Sequence, residues 1–247
     1  MLYGNSRSGF RPEVYPAVRS VDFDGVDSYL ALNTGSATTI KFNDTTHAIS
    51  FWFKSGDTAG ITHSALFAYT HTTDSHVRYW LSINSSGALH LFGWGDGSDF
   101  PITAGGATCS SVGLDDDAWH HVLLSYNGSD EVNVYVDGGS ATTVAVGAGD
   151  LEPNRATVGA RLVGSTLSYP FAGSIADFSV HAREPDAGQR ARLATKPILD
   201  YRGMGPMCWL WCGDKDTSSA VRDHGLAGGT VADMNGVCGD FKDGAPS

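Results

Sequence analysis

From Ser20 onward the chain repeats one pattern, a short run of alternating apolar and polar residues followed by a cluster of Gly, Asn, Asp or Ser. Val21 and Phe23 alternate with Asp22 and Asp24 before Gly25, and "AISFWFK" sets Ile49, Phe51 and Phe53 against Trp52. "RYWLSINSSGALHLFGW" reads as a hairpin turning at Ser85-Ser86-Gly87, and "HVLLSYNGSDEVNVYVDG", "RATVGARL" and "FAGSIADFSVHARE" follow in the same style. Side chains alternate across a strand, so each run has one face to bury. Many such strands with regular turn signals predict an all-β chain folded as a two-sheet antiparallel sandwich. One segment breaks the pattern. "DAGQRARLAT" after Pro185 predicts a short helix, with Asp186 as N-cap and Pro197 beyond its end. With 31 glycines and only 17% charged residues in 247, the composition agrees with a turn-rich sheet protein. No internal repeat of propeller or solenoid length is visible.

The ends differ from this body. Residues 1–19 form an arm with Arg7, Arg11 and Arg19 against Glu13, broken by Pro12 and Pro16, and carrying Phe10 and Tyr15 without periodicity. Residues 20–196 are the sandwich, and 197–247 a C-terminal extension expected to pack on it or on a neighbouring subunit. A net charge of −11 repels nucleic-acid backbone, so no nucleic-acid partner is expected. No apolar run approaches the roughly 18 residues of a membrane span, and membrane insertion is not expected. The opening residues lack the apolar core of a secretory signal, which implies that the chain stays where it is made or leaves by assembly or lysis. Glycosylation at the Asn43, Asn84 and Asn127 sequons is therefore not expected. The cysteines at 109, 208, 212 and 238 match no zinc framework. On one strand Cys208 and Cys212 would lie roughly 13 Å apart, too far to bridge. A bond from Cys238 to one of them and four reduced thiols both remain open.

Trp119-His120-His121 invites a metal or catalytic reading, but neighbours on a strand point to opposite faces and cannot chelate one ion. The expectation is structural, with Trp119 in the core and sharing a face with His121. The order of "VDFDGVDSYLAL", "AISFWFK", "WHHVLLSYNGSDEVNVYVDG" and "FAGSIADFSVHAREPDAGQRARL" resembles the laminin-G-like branch of the concanavalin A-like lectin and glucanase superfamily, over roughly residues 20–195. That resemblance implies a jelly-roll sandwich whose Trp-His-His strand lies within a sheet. Retaining glucanases of the superfamily carry two glutamates about 5 Å apart on one strand face. Here the glutamates are Glu13, Glu131, Glu152 and Glu184, none with a partner at that spacing. No nucleophile elbow, phosphate loop or dinucleotide fingerprint is present, so no catalysis is expected.

Laminin-G-like modules bind glycans or proteins through rim loops, sometimes with calcium. "HTTDSHVRY" offers Asp74 and "GWGDGSDF" offers Asp96 and Asp99 beside Trp94, the pattern expected of a rim calcium site and a sugar-stacking ring. The plainer reading makes them solvated turn residues, with Gly93, Gly95 and Gly97 allowing the bends. No cofactor is required, and calcium is the metal expected if one binds. The tail, "LWCGDKDTSSAVRDHGLAGGTVADMNG" with "GDFKDGAP", resembles segments that accompany such domains in phage and marine bacterial proteins. The resulting expectation is a virion-surface decoration or cement protein whose partners are capsid subunits and its own copies, anchored by Arg7, Phe10, Arg11 and Tyr15. The alternative is an extracellular glycan-binding adhesin on a viral fibre or cell surface.

Overall fold

A computed structural model of the chain describes residues 19–33, 46–56, 58, 60–70, 77–93, 106–146, 155–181 and 183–195, with the backbone of 206–210, 220–223, 229–235 and 239–243. The strands run β1 (Arg19–Asp24), β2 (Tyr29–Asn33), β3 (His47–Lys54), β4 (His63–Thr70), β5 (Val77–Asn84), β6 (Leu89–Gly93) and β7 (Ala107–Thr108). Next come β8 (Trp119–Tyr126), β9 (Glu131–Val136), β10 (Thr142–Ala145), β11 (Arg155–Val158), β12 (Arg161–Val163), β13 (Thr166–Ser168) and β14 (Ala172–His181). The helix α1 (Ala187–Leu193) precedes β15 (Pro206–Leu210), β16 (Ala220–Asp223), β17 (Gly229–Asn235) and β18 (Gly239–Asp243).

Antiparallel pairing builds two leaves. One runs β10-β9-β8-β3-β14, and the outer edge of β14 is divided between β1 at residues 172–175 and β15 at its far end. The other runs β17-β2-β11-β4-β5-β6-β7. The pair Leu210↔Asp223 joins β15 to β16, and β18 lies against β1. Between the leaves, Ile49, Phe51 and Phe53 of β3 meet Phe67, Leu81 and Leu91 of the facing leaf, all fully buried. Phe178 spans the contact, 5.7 Å from the Phe51 ring and 5.6 Å from Phe67. This is the expected jelly-roll sandwich, and the hairpin at Ser85-Ser86-Gly87 turns where the sequence places it.

The helix also forms where expected. Asp186 accepts from the Gln189 amide while the Gln189 side chain accepts from the Asp186 amide, a closed capping box. Its Leu193 packs on Ala48 and Leu123, so α1 covers part of the outer face of the first leaf. Trp119 departs from expectation. It is half-buried and lies outside the inter-leaf core, because it opens β8 opposite Lys54, the last residue of β3, and shares the phase of His121 and Leu123 rather than that of Val122 and Leu124.

Candidate functional site

The outer face of the second leaf carries a concentration of rings. On the β5–β6 hairpin Leu81, Ile83, Leu89 and Leu91 point inward, which turns Trp80 and Ser82, then His90 and Phe92, outward. Trp80 and Phe92 are cross-strand partners, and their rings stack 4.4 Å apart at 15°. The small side chains of Ala65 and Ala68 leave room beneath Trp80. Tyr169, from the β13–β14 connection, stacks on Trp80 at 5.0 Å and 27°. Tyr169 holds a left-handed backbone, φ 54°, and is pinned there by its carbonyl, which accepts from the Ala65 amide at 2.8 Å. A bulky residue in that region is strained, and such strain clusters at binding sites. Trp80 is buried by its neighbours, whereas Tyr169 is 37% exposed and presents a ring to solvent.

Polar groups border the stack. The Arg161 guanidinium, on the β12–β13 hairpin, lies 5.1 Å from the Trp80 ring centre and 4.6 Å from that of Tyr169. Its Nε is buried without a hydrogen-bond partner, and burial lowers its pKa from the ordinary arginine value. His63 stands edge-on to Phe92 at 4.9 Å and lies 5.6 Å from His90. Burial, with the charge of His90 second, holds the His63 pKa below the usual imidazole value, and burial does the same for His90. Both rings are therefore neutral near pH 7. The Asn84 carbonyl oxygen accepts from the amides of Ser86 and Ala88, so its NH2 donates to His90 Nε2 at 2.9 Å. The His90 proton then sits on Nδ1, which is buried and unpartnered. An exposed ring, a cation and hydrogen-bonding imidazoles on one rigid face are the elements a sugar site uses.

The paired histidines of β8 have other roles. His121 is 1% exposed, shares a hydrogen bond with the Ser50 hydroxyl at 2.9 Å, and packs 5.2 Å from Trp52. Burial pushes its pKa down to about 4. Its Nδ1 is buried without a partner, so the Ser50–His121 pair lacks the carboxylate that orients a catalytic imidazole. His120 turns to the rim, where Nδ1 meets Asp137 at 2.8 Å and Nε2 meets Asp116 at 3.1 Å. The Asp137 hydrogen bond, reinforced by Asp116, raises its pKa against the opposing effect of burial. Glu131 on β9 and Glu184 in the β14–α1 connection are both exposed. Among the described residues no cluster of three or more His, Cys, Asp or Glu could hold a metal ion.

Asp74, Trp94, Asp96 and Asp99 lie outside the described residues, as do Arg7, Phe10, Arg11 and Tyr15 of the arm. The side chains of the last four strands, Cys208 among them, are also outside the description. Cys109 is buried with a free thiol, its pKa pushed up to about 12 by burial. The Asn84 and Asn127 amides fold back on their own turns, Asn127 accepting from the amides of Ser129, Asp130 and Glu131. The ring face itself went unread in the sequence. Its available signal was Trp80 and Phe92 on the polar phase of an alternating hairpin, whereas Tyr169 and Arg161 arrive from a distant segment with no local mark.

A family model described as the concanavalin A-like lectin/glucanases superfamily matches residues 24–189. Among similar solved structures, a candidate carbohydrate-binding protein of Bacteroides ovatus is 14% identical with TM-score 0.66, over 94% of this chain and 62% of that one. The chain thus spans under two thirds of that protein's length. A heptameric SAP-like pentraxin of Limulus polyphemus is 14% identical with TM-score 0.57, over 90% of this chain and 97% of the pentraxin. The CBM40 module of Ruminococcus gnavus IT-sialidase, bound to α2,3-sialyllactose, is 15% identical with TM-score 0.52, over 71% of this chain and 96% of the module. At these identities the likeness establishes the fold. No curated protein matches the chain in sequence.

Proposed function

Since the chain belongs to the concanavalin A-like lectin/glucanases superfamily, we propose that it is a non-catalytic glycan-binding protein whose sugar docks on the ring face of the second leaf. The exposed, conformationally strained Tyr169 stacked on Trp80 carries this reading. A ring fixed from behind loses little freedom when a sugar lies across it, and Arg161 and His63 border it to orient hydroxyls. The carbohydrate-binding descriptions of the Bacteroides ovatus and Ruminococcus gnavus proteins support it further. Tyr169→Ala tests it on a glycan array. The variant is expected to keep its melting temperature within about 3 °C, since a half-exposed ring contributes under 1 kcal/mol, and to lose binding about tenfold or more. Unchanged binding would move the site elsewhere.

The finer expectation, a virion decoration protein held on capsid subunits or on its own copies at the virion surface, draws its support from the sequence alone. A basic arm on a chain of net charge −11 suits an acidic groove on a neighbour. An extracellular location suits the glycan reading better. Calcium on the loops of Asp74, Asp96 and Asp99, with Trp94 stacking on sugar, is likewise a proposal from sequence.

A further inference from the structure

Arg161 is out of place for a purely structural side chain. On a protein of net charge −11, with 27 acidic residues, no carboxylate pairs with it among the described residues. It offers no hydrogen bond to a backbone or side-chain acceptor there, and its contacts are the ring faces of Trp80 and Tyr169. Lys54 and Arg190, by contrast, are each committed, to Asp117 at 2.9 Å and to the Pro185 carbonyl at 2.8 Å. Burying the Nε of a half-buried guanidinium without an acceptor costs stability unless another group completes it. Two rings hold its central carbon in place, at 5.1 Å from Trp80 and 4.6 Å from Tyr169, and a guanidinium so positioned offers its fork to a planar oxyanion. Among the described side chains the face carries one such cation rather than a cluster, and an acidic body repels polyanions. A single carboxylate fits those conditions.

We infer that Arg161 is the specificity determinant for a sugar bearing one carboxylate, a uronate or a sialic acid, whose ring rests on Tyr169 while its carboxylate takes the guanidinium fork. The inference rests on the glycan-binding reading of the same face. The buried, unpartnered His90 Nδ1–H is a second donor on that face without an acceptor.

Calorimetry on the full chain tests it with two acidic probes, a glucuronate-capped trisaccharide and 3′-sialyllactose, each beside its carboxyl-reduced counterpart, and with a sulfated trisaccharide. The expected result is that one acidic probe binds about tenfold or more tighter than its reduced form, as one charge-assisted fork would give. Arg161→Gln should erase that difference, the acidic form losing far more affinity than the reduced one, and Arg161→Lys should restore only part of it. Melting curves of both variants confirm that they are folded before binding is compared. Which acidic probe binds separates uronate from sialic acid. Reduced forms that bind as tightly as acidic ones, a preference for sulfate, or an Arg161→Gln loss equal for both forms would overturn the inference and leave glycan binding standing. If none of the probes and no neutral glycan of an array binds, the glycan reading itself falls.

Discussion

Two adjacent histidines acquire opposite acid–base behaviour because a strand sends them to opposite faces. His121 enters a dry layer beside Trp52 and Ser50 and its pKa falls to about 4, while His120 sits between Asp137 and Asp116 and its pKa rises. For His121 the unfolded chain takes up a proton near pH 6.5 and the folded chain does not, so its effect is to weaken the fold progressively as pH falls from about 6.5 to about 4. The loss amounts to about 3 kcal/mol. His63 and His90 act in the same direction. His120 acts in the opposite sense, its stabilisation being complete below the unfolded pKa and lost as pH rises through the raised one. Imidazole NMR titrations should place His120 above and His121 below the ordinary value, and His121→Gln should flatten the acid limb of the stability curve. Matching titrations of the two rings, or an unaltered limb, would contradict this account.

At the scale of elements, the "FAGSIADF" segment depends on how closely β14 approaches β3. Phe171 is fully buried and Ile175 nearly so, and Gly173 lies between them with φ 150°. A Cβ on Gly173 would come 2.3 Å from the Lys54 carbonyl oxygen, a backbone atom that cannot swing aside. Gly173→Ala should therefore cost on the order of 2–5 kcal/mol in denaturant unfolding, combining strained backbone with overpacking. Gly164, in the β12–β13 turn with φ 58°, has no atom within 4 Å of the Cβ position, so Gly164→Ala should cost only about 1 kcal/mol. Equal costs would mean that conformation alone, and not the approach of β3, requires glycine at 173.

Across the whole molecule, the C-terminal strands close the sandwich along one side. β15 extends β14, β17 pairs with β2 through Ala232↔Leu32 to Asn235↔Tyr29, and β18 pairs with β1. Ending the chain at Thr195 would open three backbone edges at once, and open edges recruit other chains. The shortened protein should melt at lower temperature and aggregate on heating, as followed by calorimetry with light scattering. An unchanged melting temperature and clean refolding would show that the sandwich closes without those strands. Closure from both ends of the chain also raises the sequence separation of contacts, which slows folding of such sheets.

The sandwich, its hairpins and the capped helix were legible because their cause is local. Period-two alternation identifies Ile49, Phe51 and Phe53 as one face, and Asp186 with Gln189 marks a helix start without reference to anything distant. The same alternation puts Trp52 and His121 on the phase away from the core, yet they are 7% and 1% exposed. Covering an outer face depends on what the rest of the chain lays over it, as α1 does at Leu123. The ring face is the stronger case. Trp80 and Phe92 meet through hairpin register, but Tyr169 and Arg161 reach them only when the β12–β13 hairpin folds over β4 and β5. Sequence by itself determined which residues alternate and where the chain turns. Tertiary structure alone decided which outward side chains became neighbours, because contacts between segments far apart in the chain leave no periodic trace in either one.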